Sequence, residues 1–308
     1  MIMSILLIVI MVTALVFLFY FFAQRTREDV TTLEEDERKK RDAKGEAKSA
    51  QQQQKEQQQQ QQQQQAVPVL WLDSRKGYKL KGSTEIVEWT DARGAQYGIV
   101  EVQTDRMPMP TAPTGTQKGI GLTSAMLLSR QRPTKSANCT LLVACELSAP
   151  GEWGTIFGHF NRGTDADGVP WHSKDVQLRV TNNKRVSWHT AGDNERATIA
   201  FDEIWPSASS SSSASSSSGR GPVVFACTMV SDETSSTMRI EFETATTRGS
   251  RSTKLKRTLT DGDAPIVVGS SFANEYSNVV LYECVYYTTA LSPTDLETKK
   301  QGLVRQWV

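Results

Sequence analysis

Glu241-Phe-Glu243 places two carboxylates two residues apart. On a strand that spacing sets both on one face. Paired carboxyl groups are what glycoside hydrolysis uses, about 5–5.5 Å apart when the anomeric configuration is retained. Arg239 stands beside the pair and no third acid joins it, so the two glutamates read as a solvent-facing strand edge. His159, His172 and His189 are the only histidines. A zinc site would need them clustered with other ligands at short spacing. None has an i,i+4 partner, and two of the three sit beside aromatics in strand-like runs, which reads as structural or surface histidine. Asp165-Ala-Asp-Gly168 begins like a calcium loop. It lacks the bidentate glutamate and flanking helices of an EF-hand, and so reads as a polar turn. No catalytic residue, metal ligand or cofactor follows from these patterns.

Seven tryptophans are many for 308 residues. Trp71, Trp89, Trp188 and Trp307 belong to strand-like or helical runs and read as core. Trp153, Trp171 and Trp205 fall near loops, where an exposed ring can anchor a partner or stack on a sugar. These three are the candidate binding residues. Arg248, Arg251, Lys254, Lys256 and Arg257 form a basic cluster without an internal acid, read as a solvated hairpin. Cys139, Cys145, Cys227 and Cys284 all lie in apolar strand-like runs, with no close pair, and read as buried, reduced thiols.

The elements that must position these residues begin with a membrane segment. Met1 to Ala23 contains no charged side chain. At about 1.5 Å per helical residue it spans about 34 Å, against a hydrocarbon core of about 30 Å. No Lys or Arg precedes the run and Phe21-Phe22-Ala23-Gln24-Arg25 is a poor cleavage site, so a retained anchor is expected rather than a signal peptide. Tyr20, Phe21 and Phe22 would form an interfacial collar. Arg25 and Arg27 open a basic flank that runs on to Arg41. The positive-inside rule then keeps the rest of the chain cytosolic.

Residues 24–66 read as a charged stalk and polyglutamine spacer. Glu34–Arg38, Glu35–Lys39, Asp36–Lys40 and Glu37–Arg41 are i,i+4 pairs in the favourable order, each contributing roughly 0.2–0.5 kcal/mol to a helix. Only Val30 and Leu33 could form a coiled-coil seam, and 13 of residues 51–65 are Gln. That composition has no apolar area to bury.

From Val67 the pattern becomes short apolar runs of period two, separated by Gly, Pro, Asp and Ser. Nine or more strands are expected, including Cys139–Leu147, Val223–Val230 and Asn278–Thr288, with no intervening helix. This predicts an all-β sandwich over 67–308. Cys139–Leu147 is apolar on both faces and must be central. Ser292, Pro293 and Asp295 start a final helix, whose Leu296, Leu303, Val304 and Trp307 share a face that docks on the sandwich. Residues 206–222, with ten serines between 207 and 218, form a loop insertion. The 26 basic and 25 acidic residues of 67–308 exclude a nucleic-acid binder, which needs a basic face.

Val69-Leu-Trp-Leu-Asp73 and Val87-Glu-Trp-Thr-Asp-Ala-Arg-Gly94 resemble the opening of concanavalin A-like (laminin-G-like) jelly-roll domains. Ile266–Ser270, Val279–Tyr287, Ala290-Leu-Ser-Pro293 and the ending Gln306-Trp-Val308 resemble their close. Gly154–Phe160, Asp175–Arg179 and Val186–Thr190 are similar to copies encoded by large DNA viruses of algae and protists. The resemblance implies a concanavalin A-like jelly roll with a C-terminal helix. Glycan hydrolases of that fold carry a Glu-x-Asp-x-Glu triplet, and this chain has none. Three functions therefore stand side by side. The first is a membrane-anchored structural protein of a large virus particle, joining the lipid bilayer through residues 1–23 to other virion proteins. The second is a surface-displayed glycan-binding adhesin. The third, a glycan hydrolase, is disfavoured by the missing triplet.

Overall fold

The computed structural model describes Phe17, Tyr20 and residues 66–308 other than 97, 103–107, 137, 148–153, 160–161, 165–169, 173–175, 182–183, 191–195, 207–220, 233, 256–261 and 270–277. At 99, 101–102, 135, 162–164, 170–172, 189–190 and 262 it describes the backbone alone. The chain divides into two units, Met1–Gln64 and Gln65–Val308. In the first, Phe17 and Tyr20 are helical and exposed. Phe21, Phe22, Arg25, Arg27, the polyglutamine tract and the serine-rich insertion lie outside the described residues. Among those residues no helix is long and apolar enough to cross a membrane.

The second unit is a β-sandwich with a C-terminal helix. Its seven-stranded sheet runs, in spatial order, Leu70–Asp73, Val279–Tyr287, Cys139–Leu147, Val223–Ser231, Ser236–Glu243 and Arg248–Leu255, with Ile120–Gly121 also pairing on Val279–Tyr287. The nine-stranded sheet begins Arg196–Ala200, Arg185–Thr190, Val176–Thr181, Gly154–His159 and Ile266–Val268. It continues through Leu127–Ser129, Ile99–Val102, Glu85–Thr90 and Tyr78–Lys81. All pairings are antiparallel, so strand neighbours need not be sequence neighbours and the chain crosses between sheets repeatedly. One short helix, Phe201–Ile204, interrupts the strand succession that the sequence pattern predicted to be unbroken.

Alternation explains the core. Cys139, Leu141, Val143, Cys145 and Leu147 face the nine-stranded sheet together with Val223, Phe225, Met229, Ile240 and Tyr286. Trp89, Phe157, Leu178 and Trp188 meet them from the other side. Leu142 and Ala144 point the other way, into a second cluster with Val224, Ala226, Tyr282, Val285 and Tyr287. That cluster is closed by Leu291, Leu296 and Leu303 of the C-terminal segment. The central strand is apolar on both faces because both faces are covered. One side carries a sheet and the other a helix.

The helix spans Pro293–Trp307. The Ser292 hydroxyl accepts from the Asp295 N–H at 3.1 Å and donates to its carboxylate at 2.7 Å, fixing the first turn. Its buried stripe contains Lys300 as well as Leu296 and Leu303. Leu303→Ala is expected to cost about 2–5 kcal/mol of unfolding free energy by opening the outer cluster. Ser292→Ala, which removes only the cap, should cost about 0.5–2 kcal/mol. Urea denaturation of the two variants checks both the order and the sizes.

Candidate functional site

The outer face of the seven-stranded sheet gathers polar side chains where the two chain ends of the sandwich meet. Leu70–Asp73 pairs with Val279–Tyr287 in the register Trp71↔Val285 and Asp73↔Glu283. Leu70 and Leu72 enter the core, so Trp71 and Asp73 face outward. On the partner strand a bulge between Leu281 and Glu283 breaks the alternation. Strict alternation would carry Glu283 to the core side with Val279 and Leu281. The extra residue turns Tyr282 and Glu283 outward together.

Glu283 is almost fully buried there. Its Oε1 accepts from Trp71 Nε1 at 2.7 Å. Its Oε2 accepts from Trp307 Nε1 and Gln306 Nε2, each at 2.8 Å. One carboxylate thus ties the first strand and the end of the last helix to the strand between them. Trp307 also stacks on Tyr282, with centroids 5.2 Å apart and planes 22° from parallel. Cations cover the rings: Arg75 stands over Trp307 at 5.2 Å and Lys76 over Trp71 at 5.7 Å. Burial pushes the Glu283 carboxyl above the ordinary glutamate range, only partly offset by the Trp307 and Trp71 N–H groups.

The neighbouring carboxylates are held separately. Asp73, directly opposite Glu283, is buried but receives Arg75 in a bidentate pair at 2.9 and 2.5 Å. Burial alone would raise its pKa, yet the Arg75 hydrogen bonds outweigh it and the result is lowered. Asp91 accepts from the Trp71 backbone N–H at 2.7 Å and from Arg93 Nε and a terminal guanidinium nitrogen, both at 2.8 Å. Beside this set, between sheet and helix, lies a cavity of about 350 Å³ whose lining includes Trp71, Arg93, Glu283, Tyr287, Leu303 and Gln306.

Glu241 and Glu243 do share a face, but they are not a solvent-facing edge. Their strand is paired on both sides, and the C-terminal helix lies alongside. Lys300 Nζ reaches Glu241 at 2.9 Å, Glu297 at 2.7 Å and Glu243 at 3.8 Å, while Gln301 Nε2 donates to Glu243 at 2.9 Å. Burial works against the Lys300 ammonium, but Glu297 and Glu241 hold its pKa above the usual lysine value. The sequence pattern predicts a solvent-facing edge because the covering partner, Lys300, lies 59 residues along the chain on the buried face of a helix.

His159 is fully buried, its Nε2 at 3.0 Å from both Pro133 O and Ala264 O. That nitrogen therefore carries the proton, and Nδ1 accepts from the Tyr286 hydroxyl at 3.0 Å. The ring is a structural strut between strands. For His172 and His189 only backbone is described, and Asp165–Gly168 lies outside the described residues. Among the described residues no three His, Cys, Asp or Glu are placed to hold a metal. All four cysteines are free and buried. Burial raises the Cys139 thiol to about 12, which leaves it un-ionised at neutral pH.

Of the three candidate tryptophans, Trp153 lies outside the described residues and Trp171 is described by its backbone, in the strand Pro170–His172. Trp205 is half-buried and packs edge-on against Phe201, centroids 5.6 Å apart, rather than standing free as a stacking platform. Trp89 and Trp188 are core, as their strand runs predict. Trp71 and Trp307 are only partly buried: they pack against the outer apolar cluster and give their N–H groups to Glu283. Arg248, Arg251 and Lys254 lie on the exposed edge strand of the seven-stranded sheet, where charge opposes edge-to-edge pairing. Arg251 bonds Glu203 beside it, and Lys256 and Arg257 lie outside the described residues.

The fold and site define an all-β sandwich closed by a helix, with a polar clamp on its outer face. No family model and no curated protein matches the chain. Solved structures give distant likenesses. Trypanosoma rangeli sialidase is 11% identical at a TM-score of 0.43, covering 77% of this chain and 32% of that one. The receptor-binding domain of botulinum neurotoxin type G is 10% identical at 0.46, covering 76% and 51%. The binding domain of botulinum neurotoxin DC, in complex with rat synaptotagmin II, is 9% identical at 0.46, covering 77% and 51%. The chain therefore spans about a third to a half of these proteins. Identities and TM-scores this low carry no activity or ligand across.

Trp307→Phe keeps an aromatic ring, though a smaller one, and deletes the N–H that serves Glu283; it is expected to cost at least about 1.5–3 kcal/mol. A second expectation concerns pH. A carboxyl whose folded pKa is raised favours the folded state more as it takes up its proton. From pH 8 down to about 4.5, wild type should gain stability relative to Glu283→Gln. Asp73, with its lowered pKa, has the opposite sign: relative to Asp73→Asn, wild type should lose stability as pH falls below about 4. Denaturant midpoints at a series of pH values read both.

Proposed function

We propose that this chain is a membrane-anchored structural protein of a large DNA virus particle, with a binding head of the concanavalin A-like jelly-roll class. Residues 1–23 would hold it in a lipid bilayer and 24–66 would space the head from that surface. The head would then meet other virion proteins on the cytosolic side, as a minor capsid protein or a linker from membrane to shell.

The observation that supports binding over catalysis is the use made of the carboxylates. Asp91, Glu241, Glu243 and Glu283 each accept from N–H groups or a cation that tie strands or the helix together, and Asp73 is covered by Arg75 two residues on. A retaining or inverting hydrolase needs two carboxyl groups open to the scissile bond. These five acids are instead engaged by the fold's own donors. The one-sided basic flank from Arg25 to Arg41 supports the topology, and the sequence resemblance of Gly154–Phe160, Asp175–Arg179 and Val186–Thr190 to virus-encoded copies supports the setting.

A glycosylation acceptor inserted within residues 51–65 of the full-length chain should stay unmodified during membrane insertion. Efficient modification would reverse the orientation and favour the surface-displayed glycan binder. Incubated with polysaccharides the chain should release no sugar, and immobilised it should retain particle proteins rather than glycans. Turnover abolished by Glu241→Gln or Glu283→Gln would overturn the non-catalytic assignment.

A further inference from the structure

The cavity between the C-terminal helix and the outer sheet face is where the fold leaves room. Its volume, about 350 Å³, lies within the range of small-ligand sites, about 300–1,000 Å³. Leu142, Val285 and Leu303 give it an apolar floor, and the rings of Trp71 and Tyr287 stand at its walls. On the helix side is Gly302, in the middle of a 15-residue helix. Glycine is the poorest helix former after proline, so its presence there has a cost. Crowding does not require it: a Cβ added at Gly302 would meet nothing within 4 Å. The glycine keeps the cavity open.

Charge decides what fits. Glu283 is 4% exposed, and all its hydrogen-bond partners are neutral N–H groups of Trp71, Gln306 and Trp307. A carboxylate offers about four acceptor positions, and three are used. The nearby guanidinium groups are already matched, Arg93 by Asp91 and Arg75 by Asp73. Lys299 is exposed and sits over the Tyr287 ring at 5.6 Å, where water screens its charge. Of the charged residues lining the cavity, Arg93 is paired with Asp91 and Lys299 is exposed, which leaves Glu283 as the buried one with no ion pair. Aromatic faces beside a carboxylate are also where cations gather, and Lys76 and Lys299 already occupy two of them.

We propose that this cavity binds a small organic cation, an alkylammonium whose charge faces Glu283 and whose alkyl body lies over Leu142, Val285 and Leu303. The test reads binding of a small cation alone, and its outcome leaves the proposed structural role of the head untouched. Titration calorimetry of the full-length chain with n-butylammonium, n-butanol and butyrate compares one shape in three charge states. Butylammonium should bind at one site per chain, at least about tenfold tighter than butanol, with butyrate weaker still. Glu283→Gln should bring butylammonium down to the level of butanol. Because that substitution also loosens the clamp, Gly302→Leu supplies an independent arm. It fills the cavity, and should abolish binding while circular dichroism and thermal midpoint stay those of wild type. Butanol or butyrate binding as tightly as butylammonium, binding indifferent to Gly302→Leu, or no binding at all would overturn the assignment.

Discussion

The central strands of the seven-stranded sheet are buried on both faces, and the rest of the structure follows from that constraint. An antiparallel sheet with one wet face alternates apolar and polar residues. Cys139–Leu147 does not alternate, because its odd residues meet the nine-stranded sheet and its even residues meet the C-terminal helix. Without the helix, Leu142, Ala144, Val224, Ala226, Val285 and Tyr287 would form one exposed apolar patch, of a size that soluble monomers avoid. The helix is thus a third layer of the fold and not an appendage.

A layer held only by apolar contact can slide, and two polar devices fix this one. Lys300 locks the middle of the helix to Glu241 and Glu243, while Glu283 locks its end through Trp307 and Gln306. The two act differently. The Lys300 cluster pairs opposite charges, so removing one partner strands the others. Glu283 accepts only from neutral donors, so no bonded cation offsets a charge on its buried carboxyl. That charge has an electrostatic cost, and it is also what gives the adjoining cavity its preference for a cation. The same residue that closes the fold gives the outer face its chemistry.

Much of the architecture was legible because it depends on local periodicity. Period-two runs separated by Gly, Pro and Asp predict the strands, and Ser292-Pro293 with Asp295 predicts the helix start to the residue. The unbroken apolar run Cys139–Leu147 predicts a central strand, and it pairs with Val223–Ser231 and Val279–Tyr287 on its two sides. What pattern could not reach was long-range pairing of polar groups. Glu283 sits in an apolar run, and only the bulge at Leu281/Glu283 decides which face it takes. The strand-like and helical runs place Trp71 and Trp307 in the core, where indoles in regular elements usually go, yet their N–H groups follow a carboxylate more than 200 and 20 residues away in sequence, respectively. The one available signal was Glu283 itself, an acid among apolar strand residues that had to find donors somewhere.

Whether the Glu283 clamp joins the helix to the sheet as a single energetic unit is open to a direct measurement. A double-mutant cycle of Glu283→Gln and Trp307→Phe in the full-length chain, read by urea denaturation, isolates the term the two share. The account predicts a coupling energy of about 1 kcal/mol or more, since Glu283→Gln strips the charge from, and Trp307→Phe deletes, the same charge-assisted bond. Additivity within about 0.3 kcal/mol would contradict it, and would mean that the helix is held by its apolar face and Lys300 alone.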